Sequence, residues 1–484
     1  MLLACLLAAA LPQAVSPEAE GVSSRQIMAW LDTCERDIDA VHGFVLLRHG
    51  KVVAEGSWKP FDTLDEPHRL SSHSKCFVST AAGILVDEAK LDVDELVVDI
   101  LPDKVPAGPS ENLRHLRVRD LMTMTAGLKP GYGFHTGDWA RQILAKPADH
   151  KPGQVYAYDS DATHLLGVIV ARKSGLPLEE FLRKRLFEPL GITSFWTTYD
   201  QDGIPCAGYG FNMSTRDIAR IGQLHLDKGL WEGRRIVSRE WTELASAKHT
   251  WSGKTASEWQ ADNDWVQGFG FNFWRCQHGC YRADGAGGQF TIVMPDQDAV
   301  LSLNSAVGDM QQLLTSVWTH VLPALSKTAL PEDPASAAAL KARCAKLAFA
   351  PARGRRDGDA RYQGRTYSFK SAPLGIRSVR LEPSSDGWEL TLVTESGSFA
   401  VPVGYGKWMR GEAVFSPHTY EYLGEVIGKQ PLAASAAVRE DGSLAVRVQM
   451  LQGLRAFDWR IRKKLFRTAV DCTRGSWTAT SGME

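Results

Sequence analysis

The sequence predicts an α/β chain: an antiparallel sheet flanked by helices, with a helical subdomain inserted and an antiparallel β domain at the C-terminus. Three observations carry this. Strand-like apolar segments open and close the first two thirds, at Phe44 to Trp58 and Phe290 to Asn304. The stretch between them is dominated by helical periodicity. Beyond a Pro- and charge-rich connector, only short strand-like pieces punctuated by Asp-Gly and Ser-Gly follow. A chain of 484 residues is also long for a single core.

Taken in order, the chain starts with the apolar segment Met1 to Leu11 and a lead-in to residue 21. The segment lacks the basic flank of a secretory signal, so a cytoplasmic location is slightly favoured. Export or a periplasmic location follows if the segment is a truncated signal peptide. A catalytic-size unit is expected over 22–335, a short helix and linker over 336–359, and the β domain with a polar tail over 360–484. Within the first unit, Cys76 to Val86 reads as a buried helix, with Cys76 a buried thiol. Trp139 to Ala145, Thr163 to Lys173, Leu176 to Leu190, Arg216 to Asp227 and Met310 to Leu322 are the other helices. Gly175 followed by Pro177 supplies a C-terminal stop for Thr163 to Lys173. In the last unit, strands are expected at Thr366 to Lys370, Trp388 to Thr394, Ser398 to Val403 and Ser443 to Gln449. The last dozen residues are expected to be disordered.

Composition narrows the function. A net charge of −1 argues against nucleic acid or acidic polymers as partners. No apolar run approaches the ~20 residues of a membrane-spanning helix. Eight cysteines in so long a chain are not a disulfide framework. Cys276-Gln-His278-Gly-Cys280 offers three metal-ligand types within five residues, but a fourth of matching spacing is missing. No metal and no cofactor is therefore expected, and oligomeric state is left open.

Ser72-His73-Ser74-Lys75 heads the Cys76 to Val86 helix. Serine and lysine three apart lie one turn apart on one face, and a desolvated lysine can take a proton from a hydroxyl. His73 adjoins Ser72 in sequence but points to a different helix face, so it is not the base. Two later segments add to this. Lys151-Pro-Gly leads through Tyr158-Asp159-Ser160 into a helix, so that the phenol falls on a turn facing a cleft. Asp284-Gly285-Ala286-Gly287-Gly288-Gln289 reads as a glycine-rich turn entering a strand, where backbone can approach a ligand closely.

Together these residues resemble the serine β-lactamase and penicillin-binding-protein-like superfamily, on its class C-like branch of β-lactamase-related serine hydrolases. The likeness covers roughly residues 22–335. Further marks are Val45 to Val53 as an opening hairpin, Asp120 to Leu128, Leu186 to Ile192 and Ser214 to Arg220. It implies Ser72 as the acylated nucleophile, Lys75 as its proton acceptor and Tyr158 as the proton shuttle. Ser160 stands at the position usually held by Asn or Ser, with the Asp159 carboxylate beside it. Gly285, Gly287, Gly288 and Gln289 then border the substrate, and the oxyanion donors are the Ser72 N–H and the strand edge near Gly288-Gln289. The Lys-Thr-Gly or His-x-Gly strand is replaced by Gly285-Ala286-Gly287, which has no cation to hold a substrate carboxylate. That departure leans toward a small ester or amide as substrate. The alternatives are a cell-wall D-amino-acid peptide hydrolase or β-lactamase-type enzyme, and a catalytically silent binding protein on the same fold. In the silent case Ser72, Lys75 and Tyr158 would not converge.

Overall fold

The computed structural model describes residues 10–133, 135–253, 260–355, 362, 364–368, 375–385, 387–415, 429–454, 456–462 and 465–471. Most of the apolar N-terminal segment and the last dozen residues fall outside that set.

The first unit is built on a six-stranded antiparallel sheet. Its strands are β1 (Val41–Arg48), β2 (Lys51–Ser57), β3 (Trp274–Arg275), β4 (Tyr281–Gly285), β5 (Gln289–Met294) and β6 (Ala299–Ser305). Their order is β2-β1-β6-β5-β4-β3. β1 pairs with β6, Val45 facing Ser302 and Leu46 facing Leu301, so the two ends of the unit meet at the centre of the sheet. β1 is buried throughout because both faces are covered. Phe44 and Leu46 enter one apolar cluster and Val45 and Leu47 another, the period of two that a strand imposes.

One face carries helix α1 (Ser24–Thr33). Ser23 caps it by accepting the Gln26 N–H, and it buries Ile27, Trp30 and Leu31. On the other side, α2 (Lys75–Asp87) packs against α3 (Ser160–Ser174), and α4 (Thr215–Leu226) lies across β1, β5 and β6. α5 (Met310–Ser316) continues as a π turn over Val317–Val321, so the expected closing helix is present but irregular. The expected Leu176 to Leu190 helix is likewise a short helix, Leu178–Leu182, that runs into a π turn and a 3-10 turn. The helix expected in the connector is α6 (Pro334–Cys344). It buries Leu340 and Cys344 in the same apolar cluster as Trp30 and Phe44.

The C-terminal sheet has nine strands: β7 (Thr366–Ser368), β8 (Ile376–Ser384), β9 (Gly387–Thr394), β10 (Gly397–Gly404), β11 (Met409–Val414), β12 (Lys429–Val438), β13 (Leu444–Met450), β14 (Ala456–Arg462) and β15 (Leu465–Asp471). The order is β7-β8-β9-β10-β12-β13-β14-β15, with β11 on β12. All pairs are antiparallel except β10 with β12, which meet in parallel at Gly404 and Ser435. The expected antiparallel β domain is present, with this one parallel contact added.

This sheet holds the first unit at several points. The Arg69 N–H donates to Gln452 O at 3.1 Å, three residues before Ser72. Trp408 Nε1 donates to Phe349 O at 3.0 Å, and Arg410 pairs with Asp62 and Glu66 at 3.0 and 2.8 Å.

Candidate active site

The site is assembled at the N-terminal end of α2. Ser72 lies on a 3-10 turn, Ser71–Ser74, and Lys75 opens the α-helix proper, so the helix begins one residue earlier than its apolar run. Ser71 takes a φ of 50°. A residue with a side chain adopts that left-handed conformation at a cost of ~1–3 kcal/mol, which packing must hold in place. Ser72 remains partly exposed while Lys75 is buried.

Lys75 Nζ has three acceptors for its three protons: Ser72 Oγ at 3.0 Å, Ser160 Oγ at 3.0 Å and Gly208 O at 2.6 Å. Burial pulls its pKa from the ordinary lysine range down to about 7, against the opposing charges of Asp159, Asp284 and Asp161. Near neutrality a large share of Lys75 is therefore the free amine, which can accept a proton from Ser72. The Ser72 hydroxyl stands close enough to the Tyr158 phenol to favour its ionised form, against the larger effect of burial. Burial raises the Tyr158 pKa well above its usual range, so at neutral pH it is a phenol and not a phenolate. Its ring lies under the Lys75 ammonium, 5.0 Å from Nζ to centroid, and stacks on Trp274 of β3 at 5.6 Å and 25°.

The Tyr158 segment is irregular, with the Ala157 N–H donating to Met124 O at 2.8 Å, and it ends at Asp159, the N-cap of α3. Asp159 Oδ1 accepts the N–H groups of Asp161 and Gly131, both at 2.9 Å. The residue expected to charge the cleft thus spends one oxygen fastening the 131 loop to α3. Burial raises its carboxyl to about 6. Behind it, Asp161 pairs with Lys146 and with His135 Nε2.

The glycine-rich turn divides into two parts. A Cβ on Gly285 would lie 2.0 Å from Leu70 O and 3.0 Å from His73 N, so this strand end touches the turn that bears Ser72 and only glycine fits there. Gly287, Gly288 and Gln289 face the other way. Ser305 Oγ donates to the carbonyls of Gly287 and Gly288 at 2.7 and 2.8 Å, and Gln289 Oε1 accepts from Asn304 Nδ2 at 3.0 Å. The part of this turn beside Ser72 is therefore Gly285, not the Gly288-Gln289 edge expected to donate to an oxyanion.

His73 Nε2 is engaged with Thr291 Oγ1 at 2.9 Å, and burial pulls its pKa down to about 3. Cys276, His278 and Cys280 do not converge. Cys276 Sγ accepts from Arg282 Nη1 at 3.2 Å, while the His278 ring lies against Trp318. Among the described residues no group of three His, Cys, Asp or Glu side chains could hold a metal ion, and no helix is long and apolar enough to cross a membrane. Sequence reasoning missed the Gly208 carbonyl and the Arg282–Asp284 pair, joined at 2.7 Å. Gly208 could have been suspected from its place in Ala-Gly-Tyr-Gly. A Cβ there would sit 2.7 Å from Ser160 O.

A protein-family model described as Beta-lactamase matches residues 31–322, more than half of the chain. The chain belongs to the β-lactamase family. It sits on the class C-related branch of the serine β-lactamase and penicillin-binding-protein-like superfamily. It is 31% identical over 227 residues to a 6-aminohexanoate-dimer hydrolase of Paenarthrobacter ureafaciens, covering 42% of this chain and 56% of that one. The match thus spans just over half of that relative. Penicillin-binding protein 4 of Amycolatopsis lactamdurans is 28% identical over 313 residues, covering 56% of this chain and 80% of that protein. A solved structure titled as a putative 6-aminohexanoate-dimer hydrolase from Bacillus anthracis superposes with a TM-score of 0.53 at 19% identity. It covers 67% of this chain and 90% of that one, a likeness of fold.

Proposed function

We propose that this β-lactamase family member is a serine hydrolase that works through an acyl-enzyme on Ser72. The observation that carries the reading is Lys75 Nζ at 3.0 Å from Ser72 Oγ, with the lysine pKa drawn down to about 7. Lys75 as free amine takes the hydroxyl proton while Oγ attacks the substrate carbonyl. The oxyanion accepts from the Ser72 N–H and from the backbone at the end of β4, next to Gly285. Tyr158, a neutral phenol beside Ser72, passes a proton to the leaving group and is re-protonated from Lys75. Water then enters by the same route reversed and releases the acid. In this reading Ser160 and Gly208 orient Lys75, and Gly285 lets the strand approach. The division into 22–335, 336–359 and 360–484 belongs to the same proposal.

For the substrate, the relatives weigh toward small peptides and related amides, since proteins named as a D-alanyl-D-alanine carboxypeptidase and a 6-aminohexanoate-dimer hydrolase stand among them. A second reading, plain ester hydrolysis, is favoured by the lack of a cation in the Asp284–Gln289 run. The convergence of Ser72, Lys75 and Tyr158 speaks against the silent-scaffold reading. The test is mass-spectrometric trapping of acyl-enzyme with a fluorophosphonate, then with D-amino-acid peptides, short amides, esters and penicillins. Adduct mass on the peptide bearing Ser72 is expected. Folded protein that no serine-directed reagent labels at Ser72 defeats the proposal.

A further inference from the structure

β4 runs into the nucleophile turn through Asp284-Gly285-Ala286, and the charged group at that point is a carboxylate. Asp284 Oδ2 accepts from Arg282 Nε at 2.7 Å. Arg282 is enclosed behind it, with its guanidinium 4.6 Å from the Trp265 ring centre and 5.5 Å from that of Trp274. The Arg282 side chain has no exposed surface, whereas that of Asp284 keeps 7%. The ion pair is therefore oriented, cation inward and carboxylate outward. The second oxygen of Asp284 takes no hydrogen bond from a described residue, and it is not among the polar atoms sealed from solvent. Its charge acts on both Lys75 and Tyr158, the groups gathered around Ser72.

We infer that Asp284 is a specificity residue for this site and that the preferred substrates carry a protonated amine, which its open oxygen receives. The inference rests on the acyl-enzyme reading above and names the substrate class for it. Three physical points agree. An ammonium donates to a carboxylate in a charge-assisted hydrogen bond, stronger than a neutral one. The adjoining wall is aromatic, Tyr158 stacked on Trp274 with Trp265 edge-on at 5.1 Å, and ring faces attract cations. A substrate carboxylate in the same place would meet Asp284 as a like charge, and the Asp284–Gln289 run adds no cation.

The test uses the full chain and three probes of one shape: hexylammonium, hexanol and hexanoate. Binding is followed by ligand-observed NMR titration at pH 7.5, and the slowing of fluorophosphonate labelling of Ser72 is measured in parallel. Hexylammonium is expected to bind about 10- to 100-fold more tightly than hexanol, the range for gaining a charged hydrogen bond, with hexanoate weakest. Asp284→Asn keeps the shape and an acceptor for Arg282, and should cut the amine-to-alcohol ratio to within about threefold. Equal binding of amine and alcohol to the unaltered protein overturns the inference without any variant. So does a preference for hexanoate, or an amine preference that survives Asp284→Asn. Absence of Ser72 labelling by the fluorophosphonate alone would strike the acyl-enzyme reading instead, so the two failures are distinguishable.

Discussion

Lys75 and His73 sit two residues apart on the same turn, both buried and both pushed toward the neutral form, yet their surroundings differ in kind. His73 has the Thr291 hydroxyl and the Cys76 thiol as side-chain partners, with no opposite charge acting on it, and falls to about 3. Lys75 has three oxygen acceptors and three carboxylates acting on it, and settles at about 7. Burial alone disables a base. Burial balanced by acceptors and opposite charge sets it near working pH.

The largest effect that tests this contrast is in the acylation rate. Ser72→Ala should abolish adduct formation and leave the fold intact, as seen by circular dichroism. Lys75→Ala should then lower acylation by ~10²–10⁴-fold, the scale of lost proton transfer. His73→Ala should leave the rate within about fivefold while costing ~1–3 kcal/mol in denaturant stability through its lost hydrogen bond. A dead histidine variant beside a near-normal lysine variant would reverse the assignment. Tyr158→Phe comes next, with a loss of ~10²–10⁴-fold expected to be larger for poor leaving groups, which need the proton most.

A subtler test is the acid limb of the rate profile. Lys75 must be neutral to accept a proton, so acylation should rise with pH through a midpoint of about 7. Asp159 holds that pKa up. Asp159→Asn therefore shifts the midpoint to lower pH, with a smaller loss of maximal rate than the lysine variant. An unmoved or raised midpoint would break the electrostatic link.

The smallest effect is on stability in acid. His73 at about 3, His68 and His225 at about 4, and His42 lower than its usual value all stay neutral when folded. The unfolded chain binds protons at these groups below about pH 6.5. Stability from them is present above that pH and is lost as pH falls toward 4. Asp159 and Asp284, both raised to about 6, act oppositely between about 4 and 6. Four histidines against two carboxyls leave a net fall, readable as a lower denaturant midpoint at pH 5 than at pH 7.

The helix that Ser72 and Lys75 head was legible because its signals are local. Ser72 and Lys75 lie within one turn, the apolar run announces α2, and Gly175 at φ 72° ends α3 where expected. Tyr158 and Ser160 followed from likeness to relatives. What escaped was set by contacts distant in sequence. Nothing near Gly285 distinguishes it from Gly287 or Gly288; only the approach of β4 to Leu70 does. Asp284 was read as part of a turn because its meaning comes from Arg282 behind it and Lys75 in front. In the C-terminal unit, β12 was missed because Ala433 to Ala437 is rich in alanine, a helix former. Its strand state comes from pairing on both sides, with β11 and β13.

The apolar cluster that holds Trp30 and Phe44 also takes in Ala433 and Leu451, so it does not stop at the end of the first unit. Together with the Gln452 carbonyl on Arg69, this makes the nine-stranded sheet part of the mould in which the nucleophile turn sets. The consequence is cooperativity. A chain cut after residue 355 would bare Phe349 and Leu347 and free the Arg69 amide, so the turn bearing Ser72 would lose its backing. The intact protein should accordingly melt in one calorimetric transition, and its two sheets would have drifted in sequence as partners, each substitution at that seam answered across it.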